Sequence, residues 1–192
     1  MNIKLSMSRA AELRAELEEI YEVRAHGQYG LSQVNQLMHA VQSASLAQSR
    51  GCAASLVVAA LLHDIGHMVH DLGDHPAAEG VDDMHELIAA TWLERYFGPA
   101  VVDPVRLHVA AKRYLCAVEP AYFGRLSQDS IASLALQGGP MSPTEVENFE
   151  GQPHWLDAVV LRRIDDDAKD PRGAFPALSS FWPTIEAVVR AD

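Results

Sequence analysis

Apolar residues recur along this chain at three- and four-residue intervals, and no stretch of clear two-residue alternation interrupts them. That pattern predicts helices and no sheet. Leu13, Leu17 and Ile20 mark the apolar face of a first amphipathic helix. Val34, Met38, Val41 and Ser45 continue the period in a second, with Ser32 read as its N-cap and Gly51 near its end. A third runs from about Ala53 through Leu62 and His63. It is mostly apolar, which predicts a central, buried position. The segment 71–81 carries Gly73, Pro76 and Gly80 and reads as a loop. Asp83, with Glu86 three residues on, reads as a capping box opening a fourth helix that Gly98 ends. Asp103-Pro104 reads as an N-cap followed by proline at the first helical position, and Ser142-Pro143-Thr144-Glu145 repeats the combination. Further helices are predicted over about His154–Ala168 and from about Ser180, the last containing Trp182. The expected architecture is all-α, a single domain over 1–192 packed as a non-ideal helical bundle, without internal repeat or linker.

Composition narrows the function classes. The chain has 192 residues, 48% of them hydrophobic and 21% charged, enough for a sizeable core in one domain. Its formal net charge of -11 repels nucleic-acid phosphate and anionic lipid, so nucleic-acid and membrane-surface binding are set aside. The same charge sets a condition on an anionic substrate: local cations must overcome an unfavourable average field, or bound metal must neutralise part of the carboxylate charge. Cys52 and Cys116 lack zinc-motif spacing and form no disulfide framework. The first twenty residues lack the apolar core of a signal peptide, and the longest apolar run, Leu56–Leu62, is too short to span a bilayer. The expected compartment is the cytoplasm.

The polar residues set into apolar helices carry the chemistry. In LLHDIGHMVH, residues 61–70, His63 and His67 are four apart and share a helix face, while Asp64 points about 100° away from His63. Both His63 and Asp64 reach one object only if it lies close to the backbone, as a metal ion does. A buried carboxylate costs several kcal/mol unless it is paired or coordinates a cation. A lone buried histidine is more often a hydrogen-bonded core residue, and an exposed HxxxH is often a solvated face, so this motif alone does not decide. His39 lies mid-helix in LMHAV, His85 in the first turn of a helix, His108 in VRLHVAA and Asp165 where VVLRRI turns acidic. Each has a bland reading by itself. Together they place inward-leaning polar residues on five separate helices, which predicts a shared polar centre in the bundle core. Mixed imidazole and carboxylate ligation suits iron, manganese or zinc. Six ligands exceed what one catalytic ion takes while keeping an open position. Two ions bridged by a carboxylate would use them all, with Asp64 as the bridge.

His39, His63-Asp64 and Asp165 resemble the H…HD…D signature of the HD-domain superfamily, which is all-helical and consists mostly of metal-dependent phosphohydrolases. His85 and His108 resemble the additions of its binuclear branches, one of which contains oxygenases with a mixed-valent Fe(II)/Fe(III) centre. The segments AALLHDIGH, AAKRYLCAVEPAYF, LQGGPMS and LRRIDDDAKD look like those of the hydroxyphosphonate dioxygenases of that branch, over about Tyr29 to Pro183. The resemblance implies two irons. One would be held by His39, His63, Asp64 and Asp165, the other by Asp64, His85 and His108, with Asp166 as the alternative to Asp165 if the register slips by one. It implies that Lys112, His67, Ser130 and Arg162 contact the phosphonate, and that Tyr29 occupies an iron position until substrate displaces it. The reaction implied is oxygen-dependent cleavage of a carbon–phosphorus bond in a small 1-hydroxyphosphonate, downstream of a phosphonate hydroxylase.

One departure bears on substrate. The members acting on 2-amino-1-hydroxyethylphosphonate carry a glutamate three residues after the tyrosine, and Ser32 stands there. Without that carboxylate a primary ammonium loses a partner, whereas a quaternary ammonium can be held by aromatic faces. Tyr29, Tyr114, Tyr122, Phe123 and Trp182 are the candidates for that role. The reading favours (R)-1-hydroxy-2-(trimethylammonio)ethylphosphonate, giving glycine betaine and phosphate, over the amino compound, giving glycine. The rivals are a metal-dependent phosphohydrolase with the same ligands and a non-catalytic helical module.

Overall fold

The computed structural model describes residues 8–23, 25, 34–69, 80–173 and 175–191. Those residues form helices and no strand: α1 (Arg9–Val23), α2 (Gln36–Ser49), α3 (Ala54–Leu62), α4 (Gly66–Val69), α5 (His85–Leu93), α6 (Pro99–Val118), α7 (Gln128–Leu136), α8 (Pro143–Glu150), α9 (Trp155–Asp167) and α10 (Trp182–Glu186). Short 3-10 helices lie at Phe123–Arg125 and Leu178–Phe181, and an isolated antiparallel bridge pairs Phe97 with Val189. The all-α expectation is met. No helix is long and apolar enough to cross a membrane among the described residues.

The core is built around α3. Every residue from Leu56 to Leu62 is buried, because α2, α6, α9 and α10 all pack on this helix and a helix apolar on every side is stable only when enclosed. Around it, α6 packs along α9 and α5 packs on α6. The first helix buries Leu13, Leu17 and Tyr21, with Ile20 only partly buried. The Tyr21 hydroxyl donates to the Leu61 carbonyl at 3.1 Å, satisfying a buried phenol and fastening α1 to the end of α3.

Several predicted boundaries move, each for a local reason. Asn35, not Ser32, caps α2; its side chain accepts from the Met38 N–H at 2.8 Å. The helix carrying Leu56–Leu62 stops at Leu62, so His63 and His67 do not share one continuous helix. The capping box at Asp83 does not form. Met84 sits at φ +50° before α5, and the Asp83 carboxylate turns to the His85 ring. Gly98 ends nothing. It is the N-cap of α6, with Pro99 first in the helix, and this earlier pair leaves Asp103-Pro104 inside α6. A proline that close to the start removes a single backbone hydrogen bond. At α8 the expectation is met: Ser142 Oγ accepts from the Glu145 N–H at 3.4 Å and Glu145 Oε2 from the Ser142 N–H at 2.8 Å.

Candidate metal centre and anion site

The His63-Asp64 pair sits at a tight turn. Bonds from the N–H groups of Ile65, His67 and Met68 to the carbonyls of Leu62, Asp64 and Ile65, at 3.1, 3.0 and 2.9 Å, carry the chain from α3 into α4. Three-residue spacing winds the backbone more tightly than an α-helix, which breaks α3 from α4 at this pair. Gly66 completes the turn. A Cβ there would lie 2.0 Å from the His85 carbonyl oxygen, so α4 meets the start of α5 backbone to backbone. The HDxGH string was the available signal for this glycine, and the sequence reading passed over it.

Five elements aim polar side chains at the space beside this turn. His39 comes from α2, His63 and Asp64 from the end of α3, His85 from the first residue of α5, His108 from mid-α6 and Asp165 from the last turn of α9. All six are buried. The four histidines share one arrangement. His39 Nδ1 faces the Ala168 carbonyl at 2.9 Å, His63 Nδ1 the Ala60 carbonyl at 2.9 Å, His108 Nδ1 the Val105 carbonyl at 2.7 Å and His85 Nδ1 the Asp83 carboxylate at 2.9 Å. Carbonyl and carboxylate oxygens only accept, so each Nδ1 carries a proton and each ring turns Nε2 inward, bare when the ring is in its neutral form.

Those nitrogens meet in pairs. His39 Nε2 and His63 Nε2 are 3.2 Å apart, as are His85 Nε2 and His108 Nε2. Asp64 stands between the pairs with one oxygen toward each. Its Oδ2 lies 3.5 and 3.4 Å from the Nε2 atoms of His39 and His63, and its Oδ1 3.7 and 3.6 Å from those of His85 and His108. Asp165 Oδ1 adds a second carboxylate 3.3 Å from His39 Nε2. Asp64 Oδ2 and Asp165 Oδ1 are buried and accept no aligned hydrogen bond.

Lone pairs facing lone pairs and carboxylates repel unless something positive lies among them. The electrostatics reflect this. Burial pulls the His63 imidazole down, yet the Asp64 and Asp165 charges outweigh it and hold it at about 9, so the cluster draws in a proton when it has no other cation. Burial likewise opposes ionisation of Asp64, but the surrounding imidazoles hold it well below the usual carboxylate range. Metal–nitrogen bonds of about 2.1 Å meeting at roughly 90–110° separate two nitrogens by about 3.0–3.4 Å, and the observed 3.2 Å falls inside that window. The His/Asp cluster therefore suits a metal site by donor type, protonation and spacing.

Next to it Arg162 and Lys112 are buried. Arg162, one turn before Asp165 on α9, contacts Asp165 Oδ2 at 2.7 Å through NH1 and Asp166 Oδ1 through NH2. Its Nε donates to the Tyr122 hydroxyl at 3.2 Å and NH2 to Ser130 Oγ at 3.3 Å. Asp165 thus faces the cluster, while Asp166 contacts Arg162 and accepts from Tyr122. Lys112, one turn after His108, is buried and donates to Ser133 Oγ at 2.7 Å. Among the described residues no carboxylate lies within ion-pair distance of its amine. Burial, and next the Arg162 charge, push that amine down to about 7. A buried ammonium without a counter-ion is a place for an anion.

Most expected positions thus come together, and the exceptions are specific. His67 is not with Lys112 and Arg162. Its ring stacks on His85 with centroids 4.0 Å apart, and its Nδ1 lies 2.7 Å from Asp83 Oδ2. Tyr29 and Ser32 lie outside the described residues. Of the aromatic candidates for a quaternary ammonium, Tyr122 contacts Arg162 with its hydroxyl, whereas Tyr114 packs with Phe149 and Trp155, Phe123 is exposed and Trp182 lies in the main core beneath Arg14. The reading missed Asp83, Ser133, Tyr122 as an arginine partner, and the role of LQGGPMS. Ser133 was legible as the residue one turn after Ser130. In the last segment Gly138 and Gly139 adopt φ of +94° and +73°, and the Gly139 carbonyl accepts from Arg113 Nε at 2.8 Å. This turn anchors α7, which carries Ser130 and Ser133, to α6, which carries Lys112.

No family model matches the chain. A protein of Leisingera caerulea named [1-hydroxy-2-(trimethylamino)ethyl]phosphonate dioxygenase (glycine-betaine-forming) is 39% identical over 170 residues, covering 88% of this chain and 87% of its own length. The hydroxymethylphosphonate dioxygenase of Gimesia maris is 44% identical over 166 residues, 84% of this chain and 82% of its own. An uncharacterized protein of Acanthamoeba polyphaga mimivirus is 35% identical over 152 residues, 78% of this chain and 69% of its own. At that identity over most of both sequences, this chain belongs to the family of the hydroxyphosphonate dioxygenases.

Proposed function

We propose that the protein uses dioxygen to cleave the carbon–phosphorus bond of a 1-hydroxyphosphonate, with two iron ions in the His/Asp cluster. The carrying observation is Asp64, whose two oxygens face separate imidazole pairs. His39, His63, Asp64 and Asp165 would hold one ion, and Asp64, His85 and His108 the other. When bound, iron supplies the oxygen activation that no amino-acid side chain provides. The chain's own residues do the rest. Lys112 and Arg162 gather the phosphonate, Ser130 and Ser133 orient those two groups, and Asp165, shared between Arg162 and the cluster, sets the anion beside the metal. His67, stacked on His85, closes the opposite flank. Overall, R–CH(OH)–PO3H2 and O2 become R–COOH and H3PO4, with both oxygen atoms retained in the products.

The substrate we favour is (R)-1-hydroxy-2-(trimethylammonio)ethylphosphonate, giving glycine betaine and phosphate. Ser32 supports it, since serine offers no carboxylate to a primary ammonium. A second reading, hydroxymethylphosphonate giving formate and phosphate, is favoured by the 44% identity to the Gimesia maris enzyme. One assay separates the readings. Iron-loaded protein is supplied with each hydroxyphosphonate in air and under nitrogen, and phosphate and carboxylate are measured alongside iron per chain. We expect about two irons, release only in air, and the highest kcat/KM with the trimethylammonio compound. A preference for hydroxymethylphosphonate installs the second reading. Release of phosphate from a nucleotide under nitrogen would instead make the protein a phosphohydrolase.

A further inference from the structure

Asp83 precedes α5 by two residues and belongs to neither the proposed ligand set nor the Lys112–Arg162 pair. Its side chain is nonetheless buried, beside His85 and His67. Oδ1 accepts from His85 Nδ1 at 2.9 Å and from the His85 backbone N–H at 3.3 Å. Oδ2 lies 2.7 Å from His67 Nδ1, a close charge contact that is bent away from full hydrogen-bond alignment. The rings of His67 and His85 stack face to face at 4.0 Å and 23°, so one carboxylate spans the edges of two stacked imidazoles. The other three inward-facing histidines anchor Nδ1 on backbone carbonyls, His63 and His108 three residues back in their own chain segments and His39 at the end of α9. At His85 a side chain does that work, which makes its orientation open to mutation without touching the backbone.

We propose that Asp83 is a positioning residue. It fixes His85 in the tautomer that turns Nε2 toward His108 and holds His67 over the same ring. This rests on the two-metal reading above. Without Asp83, His85 is free to protonate Nε2 or to rotate, and the pair with His108 is lost. Among the described residues Asp83 pairs with His67 and His85 and with no ligand of the first position, which is left intact. The Met84 backbone at φ +50° keeps the Asp83 carboxylate beside the ring two residues away.

The test is a stepwise titration of metal-free protein with Co(II), followed by calorimetry and the visible spectrum, on wild type, Asp83→Asn and Asp83→Ala. Circular dichroism establishes that each variant is folded. Wild type should take up two ions. Asp83→Ala should bind the first with unchanged affinity and the second about 10–100-fold more weakly, the usual cost of losing a carboxylate behind a ligating histidine. Asp83→Asn, which keeps a neutral acceptor, should fall between, and it serves alone if the alanine variant does not fold. A purely structural role would weaken both ions together, and that result overturns the proposal. So does an unchanged second affinity in a folded variant. Fewer than two ions in wild type overturns the two-metal reading, and the inference with it.

Discussion

At the scale of single residues, the buried amine of Lys112 is the group whose protonation matters most for an anionic substrate. Held at about 7 by burial and by Arg162, it is charged below that pH and neutral above it when no anion is bound. Only the charged form attracts a phosphonate. An amine whose ordinary value is 10.5 binds anion with proton uptake between about 7 and that value. Affinity for methylphosphonate should therefore fall as pH rises from 7 to 9, relative to Lys112→Arg, whose guanidinium stays protonated throughout. Parallel pH profiles for the two proteins would remove Lys112 from the site. Asp64 is the complementary case, since it faces both nitrogen pairs. Asp64→Ala should lose one ion or both and lower phosphate release by at least about 100-fold, measured as iron per chain and as turnover; iron retained at two per chain would show that the carboxylate bridges nothing. These residues were legible because imidazoles and carboxylates inside apolar helices are costly and scarce. Asp83 was not, because a carboxylate at a helix start looks like a cap until the ring it faces is known. Tyr122 was not, because its partners Arg162 and Asp166 lie in α9.

At the scale of elements, the fold was legible where periodicity is long and illegible where it must stop. The apolar run Leu56–Leu62 gave a buried central helix without ambiguity. The end of that helix was misplaced because three-residue bonds at His63-Asp64 look helical in sequence spacing. Gly98 reads in sequence as a helix end and Asp103-Pro104 as a start, whereas α6 starts at Pro99 with Gly98 as its N-cap. The turn itself depends on Gly66, whose missing Cβ lets α4 touch the His85 carbonyl. Gly66→Ala must move α4 away from α5 and carry Asp64 or His85 with it. Overpacking of this kind costs about 1–3 kcal/mol, which for a chain this long lowers Tm by roughly 2–12 °C. The melting curve checks the first consequence. The second ion's affinity checks the other, because the displaced backbone carries His85. A variant that melts and binds as wild type does would mean that the two helices tolerate separation.

At the scale of the whole molecule, five separated stretches of sequence meet at one polar centre in an otherwise apolar core, and the chain carries a net charge of -11. Folding without metal confines two carboxylates and four inward imidazole nitrogens where water cannot screen them. Folding with metal replaces that repulsion by coordination, and the ions bind the native state far better than an unfolded chain whose ligands are scattered over more than a hundred residues. Linkage fixes the sign: a ligand of the native state raises stability, by about 4 kcal/mol per ion at a thousandfold excess over its Kd. A domain of this size shifts by roughly 2–4 °C per kcal/mol, so each ion is worth a rise of about 8 °C or more. Chelator-treated protein should melt correspondingly lower than the same protein reloaded anaerobically with Fe(II), and Asp64→Ala should lose most of the difference. Phosphonate added to the reloaded protein should raise the melt further, and added to Lys112→Ala should raise it much less, because the acidic exterior gives an anion no other reason to bind. If removing metal leaves the melting curve where it was, the cluster is held together by its own protons, and coordination has no part in assembling the five helices.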